Sequence, residues 1–133
     1  MRHENWPERL EEYVTSKKDE PFKWGTNDCA LFAKGGIESI LVESPTSDLV
    51  MKYRSATGAK KWLLDNDAID LWDYLDKHFD RIHVKMAQRG DLVGHITTDK
   101  SIGLCLNGMF ATPSDNGLLF ASMNDAVTAW RIK

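Results

Sequence analysis

The sequence contains two cysteines, no polybasic run and no long apolar segment, and each of these absences argues against a class of protein. Two cysteines are too few for a disulfide scaffold, and they show no metal-ligand spacing with the four histidines. The formal net charge is −3, so the sequence does not predict nucleic-acid binding. No window approaches the length of a membrane span, and we expect neither a cofactor nor a metal.

The N-terminal residues Met1–Glu8 are charged and lack the apolar core of a signal peptide, so we expect synthesis and folding in the cytoplasm. The chain has 133 residues, of which 42% are hydrophobic and 28% are charged. This length is enough for one hydrophobic core and too short for two. We therefore predict a single globular domain over residues 1–133.

Apolar residues recur at helical spacing in the N-terminal half of the chain. They predict helices beginning near Trp6 and at Cys29, and helical structure between Ser44 and Phe79. The apolar positions of this third segment begin with Leu49, Val50 and Tyr53.

The C-terminal half has the short apolar runs and turn residues that are typical of β-strands. Strands are predicted at Asp91–Ile96, Ser101–Leu106, Met109–Thr112, Gly117–Phe120 and Val127–Ile132. Asn107-Gly108 is a strong signal for a two-residue hairpin. Helices followed by an antiparallel sheet predict an α+β domain in which the N-terminal helices pack on the sheet.

The segment around Cys29 has the clearest chemical interest. Turn and cap formers at Gly25–Asp28 place Cys29 in the first turn of the second helix. The partial positive charge at a helix N-terminus favours a thiolate, so we expect a lowered pKa for Cys29. The alternative is that Cys29 is a small buried apolar residue, as most free cysteines are.

Several short motifs resemble one enzyme family. Trp24-Gly25 and Asp28-Cys29, followed by an apolar helix, are similar to the nucleophile segment of the NlpC-like branch of papain-fold cysteine peptidases and amidases. Arg89–Val93 is similar to that family's Gly-Asp-led strand, and Ser101–Gly108 to the strand that follows it. With Ala129–Ile132, the set is most similar to a subgroup encoded in tailed phages and prophages. The resemblance implies a papain-like fold with Cys29 at the nucleophile position.

A catalytic cysteine needs a base within hydrogen-bond reach and a third group that orients the base. The resemblance places the base at Ser101, but serine cannot accept a proton at neutral pH. It places the orienting residue just after Asn107-Gly108, where Thr112 is a weak polar substitute. The base and its orienter are therefore missing. From the motif spacing we predict that Ser101 is the strand residue closest to the Cys29 sulfur.

His95, on the neighbouring strand, is a possible displaced base. If Ile96 pairs with Ser101, the His95 side chain points to the face opposite Ser101. A one-residue shift in the pairing of the two strands would place both side chains on the same face. The sequence leaves this register open. The other histidines, His3, His78 and His83, are interpreted as ordinary surface or boundary residues.

Cys105 lies four residues beyond Ser101 on the same strand face, at a separation of about 13 Å. If Ser101 faces Cys29, the two cysteines are too far apart for a disulfide, which needs Cα atoms within about 7 Å. We expect two free thiols, with Cys105 filling space in the core.

Two functions therefore compete. The first, which the resemblance implies, is a phage tail-tip or tail-assembly component that has lost hydrolysis, resides in the virion and binds other tail proteins of the hub or tube. The second is an active cysteine peptidase or amidase that cleaves peptidoglycan peptides of the host, with Cys29 as nucleophile and His95 as base. A weaker third possibility is a module that binds a cell-wall peptide without cutting it. The serine at position 101 favours the first.

Overall fold

The computed structural model describes residues 1–47, 49 and 53–133, in which helices precede a single antiparallel sheet. The helices are α1 (Trp6–Lys17), α2 (Cys29–Ile40), α3 (Ala56–Asp65) and α4 (Leu71–Asp76). The strands are β1 (Asp80–Ile82), β2 (Leu92–Ile96), β3 (Lys100–Cys105), β4 (Met109–Ser114), β5 (Gly117–Ser122) and β6 (Ala126–Arg131). Two short 3₁₀ turns lie at Val84–Met86 and Met123–Asp125. The predicted α+β class is confirmed.

The six strands lie in the order β1-β6-β2-β3-β4-β5, so β1 and β5 form the two edges. The predicted Asn107-Gly108 hairpin joins β3 to β4, with Gly108 at a φ of 72° that favours glycine. Within the described ranges, no helix has the length and apolar content to cross a membrane.

The segment between Ser44 and Phe79 is less helical than predicted. Leu49 and Tyr53 are buried but lie outside any helix, and Val50 lies outside the described residues. Two caps divide the rest of the segment. The Ser55 hydroxyl accepts the Gly58 N–H at the start of α3, and the Asp70 carboxylate accepts the Asp73 N–H at the start of α4. Each cap begins a new helix, so a single periodic pattern becomes two short helices.

The two faces of the sheet have separate cores. The face that carries Ile102 and Leu104, called the helix face here, packs against the helices and contains most of the buried residues. The opposite side, called the far face, carries a smaller cluster that includes Val93, Cys105 and Phe110 and packs against residues of the two 3₁₀ turns. Because side chains alternate along a regular strand, this division assigns the residues of β3 and β4 to a face, whereas β6 has an irregularity opposite Gly94 and His95.

Gly35 and Gly36 lie inside α2, where glycine costs roughly 1 kcal/mol relative to alanine. A methyl group at Gly35 would overlap the Tyr13 side chain, whose hydroxyl donates to the Phe32 carbonyl at 2.7 Å. A methyl group at Gly36 would lie 3.2 Å from the Leu104 side chain. The glycines therefore allow side chains of α1 and β3 to approach α2 closely.

Asp91, from the Gly-Asp motif, is fully buried beside the first residue of β2. Its carboxylate accepts the backbone N–H groups of Gln88 at 2.9 Å and Ile132 at 3.1 Å, and the Arg131 guanidinium at 3.1 Å. The Arg2 guanidinium lies 3.7 Å from the same carboxylate. Asp91 therefore joins both ends of the chain to the central strands, which gives the motif a structural role.

Candidate functional site

The loop before α2 is held by buried polar side chains. Asp28 caps the helix, with Oδ1 accepting the Leu31 N–H at 2.9 Å and Oδ2 accepting the Gly25 N–H at 3.0 Å. Gly25 has a φ of 75°, and a side chain there would collide with the Tyr53 carbonyl. The Asn27 amide donates to the carbonyls at positions 20 and 21. Cys29 is consequently the first residue of α2, as predicted.

Tyr53 supports this loop from the segment before α3. Its hydroxyl donates to Asp28 Oδ1 at 3.3 Å. Burial, and then the negative charge of Asp28, raise the pKa of the Tyr53 phenol well above its ordinary value. The phenol therefore stays protonated, and it is a hydrogen-bond donor to the capping carboxylate.

The Cys29 thiol is less acidic than its position at a helix N-terminus predicts. Burial raises its pKa to about 11, and the adjacent Asp28 charge acts in the same direction. Backbone hydrogen bonds from Ile102, Ala30 and Cys29 itself lower the pKa, but they do not outweigh burial. The predicted lowering of this pKa was wrong, because desolvation of the sulfur exceeds the effect of the helix N-terminus.

Ile102, on β3, is the strand residue whose backbone lies close enough to the Cys29 sulfur to lower its pKa. The N–H and C=O of Cys105 bond to residues just before β2. Backbone groups reverse direction from one residue to the next along a strand, so those of Ile102, three residues earlier, point toward β4. Pairing between β3 and β4 extends from Cys105 only to Leu104. The N–H and C=O groups of Ile102 are therefore outside the β3–β4 ladder, and side chains can approach them.

A proline explains where this pairing stops. Continuing the observed register would place Pro113 opposite Ile102, and proline has no N–H to donate to the Ile102 carbonyl. The Thr112 hydroxyl donates to that carbonyl instead, at 3.2 Å. Thr112 is buried, and this bond is directed at a backbone carbonyl rather than at an imidazole.

Ser101 does not occupy the position expected of it. It pairs with His95 across β2 and β3, and its neighbour Ile102 lies on the helix face, so the Ser101 side chain is on the far face. Its carbonyl accepts the Trp72 indole N–H at 2.9 Å. The prediction that Ser101 is the strand neighbour of the Cys29 sulfur was wrong, because β3 presents the Ile102 backbone there.

His95 takes the shifted register, because Ile96 pairs with Lys100 and His95 with Ser101. The imidazole packs on the Phe110 ring with centroids 4.8 Å apart. Burial lowers its pKa, while a backbone hydrogen bond with Ile102 and the negative charge of Asp125 oppose that shift. Within the described part of the chain, Nε2 is buried without a hydrogen-bond partner.

Three of the four predicted site residues therefore lie close to the backbone of one residue, Ile102. The Thr112 hydroxyl donates to the Ile102 carbonyl at 3.2 Å, and the Ile102 backbone lowers the pKa of Cys29 and raises that of His95, so all three side chains lie close to it. The sequence reasoning missed Ile102, because a backbone group leaves no mark in residue identity. Pro113, directly after the predicted strand Met109–Thr112, was the available signal that the ladder breaks at this point.

Cys29 and Cys105 are both free, as predicted. Cys105 is buried on the far face, and burial raises its pKa to about 11. Its sulfur lies 3.4 Å from the Leu106 carbonyl and 3.8 Å from the Met123 sulfur. Among the residues that the structure describes, no three His, Cys, Asp or Glu side chains are grouped as a metal site requires.

Comparison with known proteins identifies a family but does not indicate an activity. The model of a family described as a domain of unknown function, DUF6950, matches residues 1–132. No curated protein matches the sequence. Since the family model spans nearly the whole chain, this protein belongs to the DUF6950 family.

Proposed function

We propose that this domain is a non-hydrolytic relative of the NlpC-like cysteine peptidases that acts in a phage tail as a binding and assembly component. The observation that carries the loss of hydrolysis is the environment of the Cys29 sulfur. Its pKa is about 11, and its strand neighbour is the Ile102 backbone. In this proposal Cys29 is a structural residue that occupies a break in the β3–β4 ladder.

The chemistry of amide hydrolysis supports this choice. The thiolate is the nucleophile, and with a pKa of about 11 only about one Cys29 in ten thousand is ionised at pH 7. The leaving amine also needs a proton from a positioned acid. Ser101 cannot supply it, and Thr112 already donates to the Ile102 carbonyl.

The role in the tail is supported by the motifs that resemble the phage subgroup, at Trp24–Cys29, Arg89–Val93 and Ser101–Gly108. In this proposal the domain contacts proteins of the tail-tip hub or tube and is incorporated into the virion. Small domains in such an assembly act through their surfaces. The papain-like arrangement of the fold is part of the same proposal.

A second candidate function is an active peptidase or amidase with His95 as the base. It is favoured by two observations on that imidazole. The ring and the Cys29 sulfur both contact the Ile102 backbone, and Nε2 is buried without a partner among the described residues. His95 lies on the far face with Ser101 and Phe110, whereas Cys29 packs on the helix face, so the imidazole would have to enter the gap in the β3–β4 ladder to form the pair that hydrolysis requires.

Cleavage of peptidoglycan fragments separates the two candidates. We expect the purified protein to release no peptide above the background of its Cys29→Ala variant, because the thiol is neutral and lacks a proton donor. Mass spectrometry of the digests is the measurement. Cleavage that is abolished by both Cys29→Ala and His95→Ala would establish the enzyme instead. Lys133→Ala, a substitution far along the chain from both residues, is the control and should leave any cleavage unchanged.

Tail assembly tests the biological role. We expect deletion of the gene in its phage to block tail completion, because a component of the tip is missing. The Cys29→Ser variant should assemble normally, because serine keeps a small polar side chain that can bond to Ile102. Electron microscopy counts complete tails, and mass spectrometry detects the chain in purified particles. Complete tails from the deletion, or particles lacking the chain, would contradict the role.

A further inference from the structure

The chain contains two Asn-Gly sequences, and both lie in tight turns of the sheet. Asn107-Gly108 joins β3 to β4, and Asn116-Gly117 lies at the turn from β4 into β5. Asparagine is a thermolabile residue, and a following glycine has no side chain to hinder attack by its backbone nitrogen on the asparagine amide. Since the two sequences are chemically the same, any difference in their reactivity comes from the fold.

The Asn116-Gly117 turn is held on several sides. Gly117 is buried, pairs with Ser114 in the β4–β5 ladder and accepts the Ser114 hydroxyl at 2.6 Å through its carbonyl. A side chain on Gly117 would collide with the Lys18 carbonyl, which also accepts the Leu118 N–H at 2.8 Å. These contacts have to open before the Gly117 nitrogen can approach the Asn116 side chain.

The Asn107-Gly108 turn has far fewer contacts. Both residues are exposed, and no atom lies within 4 Å of the position that a Gly108 Cβ would take. Within the described residues, the Gly108 N–H donates to no backbone carbonyl, and the Gly108 carbonyl accepts the Met123 N–H at 3.5 Å. The Gly108 nitrogen can therefore turn toward the Asn107 side chain while the strands stay paired.

We propose that Asn107 is a site of spontaneous deamidation, whereas the fold protects Asn116 from the same reaction. The Gly108 nitrogen loses its proton and bonds to Asn107 Cγ, and the side-chain nitrogen leaves with a proton as ammonia. Water then opens the cyclic imide at one of its two carbonyl carbons. Opening at Cγ gives aspartate, and opening at the main-chain carbon gives isoaspartate, whose main chain runs through the former side chain and is one methylene longer.

Isoaspartate at this turn weakens the join between β3 and β4, which is already narrow. The two strands pair at two positions, whereas β4 and β5 pair at six. The turn itself is closed by the Leu106 N–H, which donates to the Met109 carbonyl at 2.7 Å. An added methylene between these residues changes the spacing of this donor and acceptor. The aspartate product keeps the native main chain and adds only a negative charge.

Peptide mapping by mass spectrometry, after incubation of the folded chain at mildly alkaline pH, measures the reaction at both sites. We expect Asn107 to be converted at least about tenfold faster than Asn116, because the ladder at Gly117 has to open first. In denaturant the two sites should react at similar rates, which is the internal control. Similar rates in the folded chain, or no conversion of Asn107 there, would overturn the proposal.

Amide hydrogen exchange tests the effect on the hairpin. In the isoaspartate form, separated by ion exchange, the Leu106 amide should exchange at least about tenfold faster than in the native chain. Asn107→Asp is the matched control, because it adds the same charge without lengthening the main chain and should leave Leu106 protected. Native protection of Leu106 in the isoaspartate form, or the same loss of protection in Asn107→Asp, would contradict the weakened join.

Discussion

Replacing Asp91 with alanine is expected to destabilise the domain by about 2–5 kcal/mol, mainly the cost of leaving two backbone N–H groups without an acceptor in the interior. The carboxylate is fully buried and accepts two backbone N–H groups and the Arg131 guanidinium. Without it, the Ile132 and Gln88 N–H groups lose their partner in the interior. Since a domain is usually stable by about 5–15 kcal/mol, much of the variant should be unfolded under mild denaturing conditions.

Urea unfolding followed by circular dichroism measures this loss. Asp91→Asn should fall between the native chain and Asp91→Ala, because asparagine keeps the shape and one acceptor oxygen but loses the charge. Asp80→Ala is the matched control, because Asp80 is an exposed carboxylate on the edge strand β1 and its loss should change stability by less than about 0.5 kcal/mol. Equal unfolding midpoints for Asp91→Ala and Asp80→Ala would contradict the structural role of the Gly-Asp motif.

Cys29 is expected to be far less ionised at pH 7 than a catalytic cysteine. Cysteines paired with histidine in hydrolases have pKa values of about 3–4 and are almost fully ionised at neutral pH. With a pKa of about 11, the Cys29 thiolate fraction is smaller by about four orders of magnitude. The higher intrinsic nucleophilicity of a more basic thiolate recovers about three to four orders of magnitude of this difference, so the reactivity of Cys29 is compared with that of an unperturbed cysteine.

Alkylation of folded protein by iodoacetamide at pH 7 measures this reactivity. The reaction at Cys29 should be slower than at a free cysteine, whose pKa is about 8.5, by about tenfold or more. Partial burial of the side chain slows it further. The same reaction in denaturant is the internal control, because unfolding removes the desolvation and restores the rate of a free thiol. Equal rates in the two states would contradict the pKa of the folded protein.

The start of α2 was predictable because its determinants are local. Asp28 is a good N-cap and Gly25 tolerates a positive φ, so the sequence alone places Cys29 at the first helical position. The Asn107-Gly108 hairpin was predictable for the same reason. These features depend on residues within a few positions of one another, and no distant contact competes with them.

The arrangement around Cys29 was not predictable because it depends on distant contacts. The register that pairs His95 with Ser101 is decided by a turn after Ile96 whose residues allow more than one pairing. Strand periodicity shows that Ser101 and Ile102 face opposite sides, but it does not say which side the helices cover. The sequence shows that Cys29 begins a helix, which favours a lower pKa. It does not show that the sulfur is buried, which raises the pKa.

The pH dependence of Cys29 alkylation, measured in a Cys105→Ala background with and without His95→Ala, is the sharpest test of whether Cys29 is a structural thiol. We predict an apparent pKa of about 11 in both proteins, because burial of the sulfur and the negative charge of Asp28 raise the pKa more than the nearby backbone groups lower it. An apparent pKa below about 7 that rises when His95 is removed would demonstrate a thiolate–imidazolium pair and contradict a structural role for Cys29.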